Sequence, residues 1–159
     1  MSKTRSTEGF LATFLYLVAA LIVVAVSFLV DLKLPIGAEI AKPIGAFLVI
    51  VGMALVSWSG MYMRWGLLGE VEPRLERLVQ DGPYRFVRHP FYLGMTIALT
   101  GVPVTFRSYL GLLAVFLLFL PSVIYRARQE DRALQSKFGT QWDAYAAGRG
   151  FILPLRRKN

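Results

Sequence analysis

The sequence predicts an all-α integral membrane protein: four transmembrane helices, a short interfacial helix, and a cytoplasmic C-terminal helix that serves as a lid. Three observations predict it. Residues 9–30 and 43–63 are uncharged runs of more than twenty residues each, enough at about 1.5 Å per residue to cover a hydrocarbon core of about 30 Å. Hydrophobic residues make up 55% of the 159 residues, which leaves little chain for a separate soluble domain. The basic residues cluster in alternate loops, as the positive-inside rule requires of a multi-pass protein.

The first span, residues 9–30, follows Lys3 and Arg5, and Ala25-Val26-Ser27 loosely resembles a signal cleavage site. Its apolar run exceeds the roughly 7 to 15 residues of a signal h-region, so it reads as a retained helix. The second span covers residues 43–63. Residues 91–106 and 108–125 are shorter uncharged runs separated by Arg107, with Pro103 just before the break, and read as a third and fourth span joined by a tight turn at a membrane face. Between the second and third spans, residues 71–80 place Val71, Leu75, Leu78 and Val79 on one helical face, the pattern of an interfacial helix. Asp81-Gly82-Pro83 then breaks the helix, and Pro90 starts the third span. Past the fourth span the helix continues to Phe138-Gly139, a C-cap pattern, after which Trp142, Tyr145 and Phe151 fold back as an aromatic lid. One domain accounts for residues 1–159, with the functional region in residues 81–154.

Charge placement gives the topology. The N-terminal tail holds Lys3 and Arg5, residues 64–88 hold five arginines, and the chain from Arg126 onward holds eight basic residues, against Lys33, Lys42 and Arg107 in the alternate loops. Both termini and the 64–90 segment are therefore expected in the cytoplasm. The formal charge of +8 is read as contact with anionic headgroups rather than nucleic acid, because the cations flank apolar spans and alternate with acids. Membrane lipids are thus expected neighbours, and the sequence suggests no obligate protein partner.

The chain has no cysteine and one histidine, His89. That excludes disulfides, thiolate nucleophiles and multi-histidine metal centres, and no metal site is expected. No glycine-rich phosphate cradle occurs. Two polar clusters remain as candidates, both on the predicted cytoplasmic side. Tyr84, Arg85, Arg88, His89 and Tyr92 gather at the entrance of the third span, whose free amides favour an anion such as a carboxylate. Arg126 and Glu130, four residues apart, share a helix face one turn beyond the fourth span. Each cluster alone has a plain structural explanation as a helix cap or a solvated ion pair; their placement on one side of the membrane points to a shared site.

Together these residues form a recognisable pattern. Gly82-Pro83-Tyr84-Arg85 and Arg88-His89-Pro90-Phe91-Tyr92-Leu93-Gly94, followed by Arg126, Glu130-Asp131, Leu134, Phe138-Gly139 and Tyr145, resemble the isoprenylcysteine carboxyl methyltransferase family and its phospholipid methyltransferase relatives. The resemblance covers residues 81–154; the first two spans match in hydrophobicity only. It implies an integral membrane enzyme using S-adenosylmethionine, with Tyr84, Arg88, His89, Pro90, Tyr92, Gly94, Glu130 and Asp131 binding the cofactor, Arg126 and Glu130 catalytic, and Trp142 and Tyr145 lining the substrate side as part of the lid. Asp131 stands where the family usually has Glu, and Trp142 where it has the first Tyr of a Y-x-x-Y pair. The resemblance implies a lipophilic methyl acceptor, with a carboxylate of the isoprenylcysteine type as the first expectation. A phospholipid amine or a small thiol is the alternative, and an amine acceptor would need a base, for which His89 or Glu130 are the nearby choices. A protein that only binds anionic lipid or a partner would explain the charge but not the acids set among the arginines.

Overall fold

The structure, a computed structural model, describes residues 2–63 and 78–154. α1 (Ser2–Leu29) carries the first apolar run, and its Ala12, Tyr16, Ala19, Val23 and Ser27 are buried in steps of three and four residues, the stripe that a packed helix presents. The Ser27 hydroxyl donates back to the Val23 carbonyl at 2.6 Å, so the polar group is satisfied within its own helix.

α2 (Ala38–Met63) starts five residues before the expected boundary and takes in Pro43. Proline is tolerated so near the helix start because it forfeits little of the ladder there, and the Gly37 carbonyl receives the first amides from Ile40 and Ala41. The buried stripe of α2 is made of small residues, among them Ala41, Gly45, Gly52 and Gly60. α3 (Pro90–Thr105) answers with Gly94, Ala98 and Gly101. A Cβ on Gly101 would lie 2.6 Å from the Gly45 carbonyl oxygen, and one on Gly94 would lie 2.8 Å from that of Gly52. The two backbones therefore touch along an antiparallel seam, which explains these glycines as internal packing.

α3 and the next helix are joined at Arg107, whose φ of 57° is left-handed. The turn is stitched to the α1–α2 connection: Leu34 N–H donates to the Arg107 carbonyl at 2.6 Å, Tyr109 N–H to Leu32 at 2.9 Å, and the Arg107 guanidinium to the Ile36 carbonyl at 3.1 Å. Ser108 caps the following helix, its hydroxyl accepting from Gly111 N–H at 3.0 Å.

That helix, α4 (Tyr109–Phe138), runs for 30 residues, about 45 Å, and so outreaches the hydrocarbon layer. Its Val115–Phe119 stretch widens to a π-turn just before Pro121, which lacks the N–H a regular turn would use. α5 (Thr140–Ala147) follows the left-handed Gly139, and residues 150–151 then run beside residues 87–89.

Among the described residues, three helices are long and apolar enough to cross a membrane: Gly9–Leu29, Ala38–Met63 and Tyr109–Phe138. α3, at 16 residues, reaches about 24 Å, short of a full hydrocarbon layer by length alone. Of the four expected spans, then, three meet that length, and α3 is a shorter apolar helix laid along α2. The described residues are helices and connections without β-strands. The interfacial helix expected over residues 71–80 lies outside the described residues except for Leu78, Val79 and Gln80, which are not helical.

Among the described residues, two apolar cores result. The larger joins Tyr16 and Val23 of α1, Tyr92 of α3, Val115, Phe119 and Val123 of α4, and Ile152 of the tail. The smaller pins α5 through Leu78, Trp142 and Tyr145, with Leu134 and Phe138 against them.

Candidate active site

The site forms where the start of α3 meets the protruding part of α4. Pro90 fixes the first turn of α3, which puts His89 at its entrance and Tyr92 on its inner face. α4 presents Arg126, Glu130 and Asp131 toward them.

Glu130 is the centre of one half. Its Oε1 accepts from the Tyr92 hydroxyl at 2.6 Å and lies 3.3 Å from Arg126 Nε. Arg126, only 2% exposed, also donates from Nε to the Tyr92 oxygen at 3.2 Å and from a terminal nitrogen to the Gly9 carbonyl of α1 at 3.1 Å. Tyr16 stands edge-on to Tyr92, ring centres 6.3 Å apart. Asp131 is the centre of the other half: Oδ2 accepts from Arg88 at 2.8 Å and Oδ1 pairs with His89 Nε2 at 2.7 Å. The halves meet at His89, 4% exposed, whose Nδ1 is 3.7 Å from Glu130 Oε2. A carboxylate only accepts, so in the neutral ring the hydrogen belongs on Nε2, leaving a lone pair on Nδ1.

The C-terminal segment closes one wall. Arg88 N–H donates to the Gly150 carbonyl at 2.9 Å and His89 N–H to Phe151 at 3.1 Å. The Phe151 ring lies 5.1 Å from the His89 ring and 5.1 Å from the Arg88 guanidinium. The Tyr145 hydroxyl donates to the Tyr84 carbonyl at 3.0 Å, tying α5 to the turn before α3. Burial pushes the Tyr145 phenol up to about 12, with Arg149 and Arg88 pulling against it. Burial also drives the Tyr84 phenol well above its ordinary value, helped by the Glu130 charge. Both therefore stay neutral hydrogen-bonding groups.

Of the residues singled out from sequence, Arg88, His89, Tyr92, Arg126, Glu130 and Asp131 form one connected network. Tyr84 flanks it, bonded through its hydroxyl to Met63 and through its carbonyl to Tyr145. Pro90 is buried at the helix start. Gly94 lies away from the network, on the α3 face turned to Gly52 and Val56 of α2. Trp142 is buried in the smaller core beside Tyr145.

A model of the phospholipid methyltransferase family matches residues 41–141, more than half of the chain. The chain belongs to the phospholipid methyltransferase family. The chain is also similar to Methanethiol S-methyltransferase 1 of Bradyrhizobium diazoefficiens, 32% identical over 74 residues. Those residues are 46% of this chain and 25% of that protein, so the match spans about a quarter of the relative's length. No solved structure matches the chain.

The phospholipid methyltransferase region takes in all six network residues, yet two contributions come from outside residues 41–141. Gly9 and Tyr16 of α1 contact Arg126 and Tyr92, and Arg149, Gly150 and Phe151 line the wall. Sequence reasoning named none of these as site residues except Phe151, as part of the lid. A backbone carbonyl has no residue-type signature, and Arg149 is one of eight basic residues in its segment.

Proposed function

We propose that this chain is an S-adenosylmethionine-dependent methyltransferase of the membrane, with its site on the cytoplasmic side and a thiol as the acceptor that the geometry favours. The observation that carries the reading is the charge balance of the network. Arg126 is paired with Glu130 and Arg88 with Asp131, so once the cofactor's own carboxylate is met the inner cluster keeps no spare cation for an acceptor carboxylate. His89 offers a lone pair between two acids instead. A neutral nucleophile that must give up a proton suits that arrangement better than one that arrives ionised. The methanethiol named for the similar protein is a nucleophile of that kind.

The residues present fit the cofactor. Arg88 Nε is buried without a hydrogen-bond partner, a donor suited to the cofactor's carboxylate; Glu130 Oε2 suits its ammonium or ribose; and Tyr92 and Phe151 offer aromatic faces to a sulfonium. When bound there, the cofactor would supply an electrophilic methyl for the acceptor sulfur and would itself leave as a neutral thioether. Little acid or base strength is needed, but alignment and a dry site are. Glu130 and Arg126 fix Tyr92, Asp131 fixes the His89 ring, and His89 Nδ1 takes the acceptor's proton. The lipophilic acceptor enters from the bilayer and the polar cofactor from the cytoplasm.

A second reading, a phospholipid amine acceptor, has the family model in its favour and makes the same demand for a base. Detergent-purified protein is to be given methyl-labelled S-adenosylmethionine with an alkanethiol, a phosphatidylethanolamine vesicle and a prenylated cysteine in turn. Label in the alkyl methyl thioether supports the thiol reading. Label in the prenylcysteine ester alone refutes it, and label in the lipid amine alone selects the second reading.

A further inference from the structure

Arg149 carries a charge that no carboxylate balances among the described residues. It is held at two points: a terminal nitrogen donates to the Tyr145 carbonyl at 3.1 Å, and the guanidinium lies 4.4 Å from the centre of the Tyr145 ring. Its Nε is nevertheless buried and unpartnered, and so is Arg88 Nε. Two buried guanidinium donors without acceptors in one small site are unusual, since such groups are nearly always satisfied in a folded protein.

The backbone explains why they belong together. Val87 and Gly150 form a single parallel bridge, with Arg88 N–H on the Gly150 carbonyl at 2.9 Å. The bridge sets Arg88 beside Phe151 and Arg149 next to Gly150, so both arginines flank one short pairing of the wall. The stacking of Arg88 on Phe151 at 5.1 Å agrees with that arrangement. The charges of both arginines also reach the Tyr145 hydroxyl. Around this bridge Arg88 is bonded to Asp131, while Arg149 pairs with no carboxylate among the described residues. A surplus positive charge, immobilised beside two aromatic rings and facing unfilled donors, is a place built for a small planar anion.

We propose that Arg149 and Arg88 together bind the carboxylate at the amino-acid end of the cofactor, Arg149 being the residue that selects for that end. The inference rests on the reading of the chain as an S-adenosylmethionine enzyme. It assigns a ligand-binding role to a residue outside the family-matched segment, and it makes the tail after α5 part of the site rather than only its cover. The fork of a guanidinium matches a carboxylate in a way that a lysine ammonium does not.

Calorimetry on the detergent-solubilised full chain tests this with two ligands, S-adenosylhomocysteine and 5′-methylthioadenosine, which keeps the nucleoside and thioether but lacks the amino acid. Arg149→Gln is expected to weaken S-adenosylhomocysteine by about tenfold to a hundredfold, the worth of a charged hydrogen bond in a buried site. Methylthioadenosine binding should stay within about twofold, which also reports that the variant is folded. Arg149→Lys should fall between. Equal weakening of both ligands, or of neither, overturns the assignment. Wild-type protein that binds neither ligand overturns the cofactor reading itself and this inference with it.

Discussion

Gly94→Ala separates two roles for one residue, because the sequence pattern puts Gly94 in the cofactor wall and the structure puts it in the α2–α3 seam. The new Cβ would lie 2.8 Å from the Gly52 carbonyl oxygen, 2.9 Å from Val56 N and 3.0 Å from Val56 Cγ2. Ordinary contacts are near 3.5 Å or longer, so the helices must part by about half an ångström at a point where backbone meets backbone. Overpacking of that kind costs about 1–3 kcal/mol. Replacing glycine by alanine in a helix gains only about 0.5–1 kcal/mol from backbone entropy, so the clash wins and a net loss of about 1–2 kcal/mol is expected. By the usual scaling for a chain of this length that is a fall in Tm of about 2–8 °C. Thermal unfolding in detergent reads it, with Gly101→Ala, in the same seam but away from the network, as a control that should fall by a similar amount. S-adenosylhomocysteine affinity of the folded Gly94→Ala protein should match wild type. An unchanged Tm with lost affinity would refute the packing argument and return Gly94 to the cofactor wall.

Glu130→Gln should destabilise by about 3–5 kcal/mol, because it leaves the buried Arg126 charge unpaired; the double variant Arg126→Met, Glu130→Leu should recover part of that loss in the same unfolding assay. Trp142→Ala opens the smaller core and should cost about 3–5 kcal/mol, read as early loss of α5 protection in hydrogen exchange. Tyr145→Phe removes the hydrogen bond to the Tyr84 carbonyl, worth about 1 kcal/mol near neutral pH. It also changes the alkaline limb. The Tyr145 phenol rises from 10.0 to about 12 on folding, so the unfolded chain loses that proton first, and the stability present below pH 10 declines as pH rises toward 12. Denaturant titrations across that window should show a shallower decline for Tyr145→Phe than for wild type.

The uncharged runs made the long helices legible, since a bilayer imposes a length and forbids charge. The start of α2 was not, because the uncharged run begins only after Lys42, whereas the helix itself begins at Ala38, takes in Glu39 and Lys42, and uses the Gly37 carbonyl as its first acceptor. The six network residues were legible because two short motifs brought the polar groups to the ends of neighbouring helices. The place of Gly94 was not, since its partner Gly52 is 42 positions away and the spacing of glycines in one helix does not show which surface faces them. Arg149 was hidden for the same reason: its relation to Arg88 depends on a single bridge between Val87 and Gly150.

The glycine seam also bears on traffic within the membrane. With main chain against main chain at the Gly45–Gly101 and Gly52–Gly94 crossings, α2 and α3 close on each other there as a wall, and anything passing at those points has to prise two backbones apart. The other flank of α3 is built differently: α1 and α4 meet it there through side chains, Tyr16 and Phe119 among them, rather than through backbone. A change of size at Tyr16 of α1 is therefore absorbed by side-chain repacking, whereas a change at Gly52 or Gly94 meets main chain.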